Sequence, residues 1–97
     1  MSSQAFELDR YVVDALMRDL VGHDRRPSAY LVYLTIAAAS GAGRVSLSLA
    51  QLAERTGLSK RSAQDAVRHL SARGLLGISK SGETEVPRYE ALRPWRR

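Results

Sequence analysis

Apolar positions along the chain recur first at helical spacing and then, near the C-terminus, in alternation. Residues 9–21 carry Val12, Val13, Leu16, Met17, Leu20 and Val21 on one broad face, with Asp14 and Arg18 four apart on the other, which predicts a helix ended by Gly22. A polar connector, residues 23–28, leads to residues 29–40. This stretch is apolar nearly all round and predicts a central buried helix stopped by Gly41, with Tyr30 and Tyr33 in the core or at its rim. Arg44 to Leu47 alternates as a short, half-buried strand does. Between Ser46 and Gly74 the pattern predicts two amphipathic helices around a Thr56-Gly57-Leu58-Ser59 turn. Ser48 caps the first helix and Gln51 completes a capping box, while Leu49, Leu52 and Ala53 face inward. Leu58 pins the corner, Ser59 caps the second helix, and Ala63, Val67 and Leu70 form its inward face. The small Ala53, Ala63 and Ala66 suit a close helix crossing. Leu75 to Lys80 and Val86 to Leu92 read as strands joined by Ser81-Gly82-Glu83-Thr84-Glu85, with Pro87 at an edge or at the start of its strand.

With that inward face fixed, a 3.6-residue period turns Arg61, Asp65 and Arg68 outward with Gln64 beside them. Arginine binds guanine bidentately, glutamine binds adenine, and a carboxylate accepts from cytosine, so this face carries major-groove chemistry. Any solvated helix face is also charged. The capped first helix and the glycine turn are what favour readout.

Leu70-Ser71-Ala72-Arg73-Gly74-Leu75-Leu76 completes a pattern that resembles winged helix-turn-helix DNA-binding proteins of the bacterial regulator type, over residues 27–92. The pattern departs from many relatives at Ala63 and Ala66, where β-branched residues are common. The resemblance implies a mainly α fold with a small β wing: a three-helix winged helix-turn-helix, here with an extra N-terminal helix. It also implies double-stranded DNA as the partner, the second helix of the motif entering the major groove, and sequence-specific transcriptional regulation as the role. Lys60, Arg61, Ser62, Gln64, Asp65 and Arg68 are then the base-facing set. Arg44, Ser48, Arg55, Ser59, Arg73, Lys80 and Arg88 are the phosphate-facing set, with His69 turned to phosphate or solvent. Two other roles stand beside this one: a plasmid or phage replication or partition protein, and a protein interaction module, for which acidic Asp65, Glu83 and Glu85 leave room.

Charge sharpens the picture. Fifteen basic against ten acidic residues give +5, but residues 1–24 hold two arginines against five carboxylates, net −3, leaving +8 on the rest. A polyanion is drawn to one side of such a molecule. Ninety-seven residues suffice for one domain, 1–97, comprising an N-terminal helix (1–24), a winged-helix core (27–92) and a basic tail (93–97). The apolar face of the N-terminal helix is broad enough to pack on the core and also meet its copy in a homodimer. In the tail, Trp95 packs back on the domain and the arginines stay free for phosphate, or the whole tail is a basic arm along the backbone. No cysteine is present, which removes disulfides and thiolate metal sites and fits a cytoplasmic protein. No export signal is visible, and the longest apolar run, Tyr30 to Ala39, is short for a membrane span.

Catalytic groups do not converge along the sequence: His23 lies in a connector and His69 on the second motif helix, so neither an enzyme nor a metal site is expected. Gly41-Ala42-Gly43 follows a helix instead of a strand and reads as a turn, which leaves no nucleotide cofactor site. A small-molecule effector site is not expected either, since a core this small has little room for a pocket.

Overall fold

Pro27 opens the first core helix, α1 (Pro27–Ser40), where its missing N–H is no loss and its fixed φ suits the first turn. The helix therefore starts two residues before the apolar run does. The computed structural model describes residues 4–41, 43–80, 82 and 86–96. Within it α1 is the central element, packed by the N-terminal helix, α2 (Leu49–Thr56), α3 (Lys60–Ala72) and the sheet. It buries Ala29, Tyr30, Val32, Tyr33, Ile36 and Ala37. Both tyrosine hydroxyls find backbone acceptors: Tyr30 donates to the Val12 carbonyl at 3.0 Å and Tyr33 to that of Leu92 at 2.9 Å. The core thus gains two large rings without orphaned polar atoms. Burial pushes the Tyr33 phenol up to about 12.

α2 and α3 form as their local sequence directs. The Ser48 side chain accepts from the Gln51 N–H at 3.1 Å while the Gln51 side chain accepts from the Ser48 N–H at 2.8 Å, a complete capping box. Gly57 ends α2 at φ +78°, a left-handed conformation that a side chain would strain, and Ser59 caps α3. Ala53, Ala63 and Ala66 are all buried.

The N-terminal helix spans residues 10–23 and is wider than an α-helix over Val12–Leu16 and Asp19–His23, where N–H groups reach five residues back. Its sequence supplies the reason. Val12, Leu16 and Leu20 are buried, Val13, Met17 and Val21 are exposed, and each set repeats strictly every four residues. An α-helix of 3.6 residues per turn rotates such a stripe by about 40° per repeat, and the widened turns oppose that drift. Asp14 pairs with Arg10 at 3.3 Å, not with Arg18 as expected; both lie four residues away, so spacing alone left the choice open.

The sheet is antiparallel with strand order β1-β3-β2, where β1 is Val45–Ser46, β2 Leu76–Ser79 and β3 Arg88–Ala91. Leu76 pairs with Ala91 and Ser79 with Arg88, and Val45 meets Tyr89 on the other side of β3. Pro87 sits just before the central strand and its carbonyl accepts from the Leu47 N–H at 3.3 Å. The expected turn at the wing tip, with Glu83 and Glu85, lies outside the described residues apart from Gly82.

The two ends of the chain are clasped. Trp95 stacks on Tyr11 at 4.7 Å and donates from Nε1 to Asp9 at 2.7 Å, and Arg96 Nε donates to the same carboxylate at 2.7 Å. Arg93 is held by the Ala91 and Gly41 carbonyls. Trp95 thus packs back as expected, but Arg93 and Arg96 are not free, and Arg97 lies outside the described residues. Hydrogen bonds from Arg96 and then Trp95 hold the Asp9 carboxyl down at about 2, against 3.8 ordinarily. A depressed carboxyl contributes stability that is complete above its unfolded value and is lost as pH falls through its folded one. The emission of Trp95, the single tryptophan, is therefore expected to hold steady down to about pH 4 and then change through about pH 2. Asp9→Asn should abolish that step; a step that persists unchanged would place its origin elsewhere.

Candidate nucleic-acid interface

α3 buries Ala63, Ala66, Val67 and Leu70 and exposes Lys60, Arg61, Gln64, Asp65 and Arg68 on its outward side. Five of the six residues expected to face bases therefore lie in the open on one helix. Ser62 does not join them. It is half-buried, and its hydroxyl oxygen accepts from Ser59 at 3.1 Å while the Ser62 N–H donates to Ser59, so both serines belong to the cap.

Two depressions flank the outward face. At the start of α3, Lys60, Lys80 and Ser48 line a groove between the α2 N-terminus and the base of the wing, completed by Leu49, Val86, Pro87 and Tyr89. Farther along, Asp65, Arg68, His69 and Ala72 line a notch together with Arg26. The sequence assigned no role to Arg26, because 39 to 46 residues separate it from its neighbours in the notch.

The remaining expected phosphate contacts are distributed differently. Arg73 ion-pairs with Asp19 and also meets Asp24 at 3.1 Å. His69 Nε2 donates to Asp24 at 2.7 Å. Both side chains, expected to face phosphate or solvent, are instead turned toward carboxylates of the N-terminal helix and its exit. Hydrogen bonds from His23 and then His69 lower the pKa of Asp24, whose side chain is only 6% exposed. Asp19, His23 and Asp24 bring ligand atoms within 4.8 Å of one another, but the Arg73 guanidinium already spans the two carboxylates and completes an ion-pair network. Arg44 is matched by Glu90 at 3.7 Å and shares with Arg88 a depression lined by sheet residues, apart from α3. Arg55 is exposed at the last turn of α2.

Charge is thereby sorted across the molecule. Asp9, Asp14, Asp19 and Asp24 are each paired within the chain. Among the described residues, Lys60, Arg61, Arg68, Lys80, Arg25 and Arg26 have no ion-pair partner, nor do Arg55, Arg88 and, on the N-terminal helix, Arg18. Most of these unmatched cations lie about the outward face of α3 and leave that side positive, the condition for holding a polyanion.

A capped α2, a glycine turn, an outward-facing α3 and a three-stranded antiparallel sheet behind them define a winged helix-turn-helix. The chain belongs to the helix-turn-helix domain family, whose model matches residues 26–76, from the start of α1 to the first residue of β2. Membership of this family suggests DNA binding. No curated protein and no solved structure matches the chain. Among the described residues, no helix is long and apolar enough to cross a membrane.

Proposed function

We propose that the protein binds double-stranded DNA sequence-specifically, as a regulator of transcription, with α3 in the major groove. The observation that carries this reading is the exposed row Arg61, Gln64, Asp65 and Arg68 between two cation-lined depressions. The row has donors for guanine and adenine and an acceptor for cytosine. Lys80, Lys60 and Arg55 supply phosphate contacts, with Ser48 and Ser59 contributing through the helix starts they cap. Residues 1–97 act as one domain in this reading, and the protein works in the cytoplasm without a cofactor.

A second copy is the proposed occupant of the Val13, Met17 and Val21 stripe. Three apolar side chains between 39% and 51% exposed lie in register beside a buried twin stripe, and the carboxylates around them are neutralised within the protomer, so a copy meets little repulsion.

Selection from a random duplex library, followed by affinity measurements on the winner and a scrambled duplex across a salt series, tests the whole reading. The expected result is an enriched inverted repeat with half-sites about 10 base pairs apart, preferred over the scramble by about three orders of magnitude or more. A single unrepeated half-site would remove the dimer. Binding without enrichment would reduce the protein to a phosphate-counting role such as replication or partition, and absence of binding would turn α3 toward a protein partner.

A further inference from the structure

We propose that Arg25 and Arg26 form a second phosphate-binding element, gripping the DNA backbone beside the C-terminal half of α3, at the far end of its outward face from the wing groove. This rests on the DNA-binding reading above and extends it to the turn that precedes α1.

Three observations converge on the pair. Arg26 lines the same notch as Asp65 and Arg68 of α3, so a duplex seated on those side chains passes within its reach. Both arginines are exposed and lack an ion-pair partner among the described residues, whereas Arg73, just past the end of α3, is taken by Asp19 and Asp24, and His69 by Asp24. With Arg68 turned to base edges in the reading above, phosphate contact on this flank falls to the connector.

The backbone supplies the third. Arg25 has φ +56°, the left-handed region, and among the described residues it is the one non-glycine there. It sits where the N-terminal helix ends, and the next N–H, that of Arg26, closes the end by donating to the Leu20 carbonyl at 2.8 Å. Glycine takes this conformation freely; an arginine carries a steric penalty. Residues held against such a penalty concentrate where the side chain is used. The neighbouring Asp24, bonded to His69 and Arg73, fastens this turn to α3, so the two guanidinium groups are presented from a fixed place instead of a loose loop.

The turn conformation makes a discriminating experiment available. Arg25→Gly removes the charge and relieves the backbone, so Tm should rise by a few degrees while affinity falls. On the selected and scrambled duplexes alike the loss should be about threefold to tenfold near physiological salt, and the slope of log K against log salt should flatten by about one. Arg26→Ala should lose affinity and slope to a similar degree. Arg18→Ala, an equal charge loss on the N-terminal helix, should leave both duplex affinities near those of the unaltered protein. An Arg25→Gly protein that binds with unchanged affinity and salt slope overturns the proposal, as does an Arg18→Ala protein that loses as much. If the unaltered protein binds neither duplex, the DNA-binding reading itself has failed and takes this one with it.

Discussion

Replacing Arg68 or Arg61 with alanine is expected to weaken binding to the selected duplex by about 1–3 kcal/mol and to leave binding to a scrambled duplex far less changed. The reasoning is geometric. Both side chains are exposed on the outward face of α3, and neither is matched by a carboxylate among the described residues, so their donors are available to base edges. Lys80, beside the wing groove, offers the contrast: Lys80→Ala should weaken both duplexes by the same factor, as loss of a phosphate contact does. Equal losses on both duplexes for all three variants would reassign Arg61 and Arg68 to the backbone.

The second large effect is on stability. Leu20→Ala should destabilise the protein by about 2–5 kcal/mol, the range for deleting a fully buried leucine side chain. Leu20 is 0% exposed, and the helix that carries it packs on α1. Val21→Ala, one residue along on the exposed stripe, should cost far less in the monomer. Denaturant midpoints of the two variants, compared at equal protein concentration, check the difference. Similar midpoints would mean that the N-terminal helix docks loosely and that the core is complete without it.

The legible parts of this fold were those set by short-range rules. Ser48, Gln51, Gly57 and Ser59 act on groups within four residues of themselves, and the structure places each in the role its type implies. The outward row of α3 follows from the inward one by helical period, so it too was readable. Partner choice over long separations was not. His69 and Arg73 look like solvent or phosphate contacts until Asp24 arrives from 45 and 49 residues earlier in the chain. Arg96 meets Asp9 across 87 residues, a pairing that no periodicity announces. The apolar face of residues 12–21 was visible as a single broad stripe; which of its two repeats is buried follows from packing against α1, which local propensity does not reveal.

The sheet order β1-β3-β2 has a consequence for how the chain matures. Among the described residues both outer strands pair only with β3, the last of the three strands, and Tyr33 finds its acceptor at Leu92, just beyond it. α2 and α3 touch α1 directly, without help from β3. α2 and α3 can therefore dock on α1 while Val45–Ser46 and Leu76–Ser79 still wait with open edges. A chain cut off before Arg88 would present α3 on a body with two unpaired strands, the form most exposed to aggregation and proteolysis.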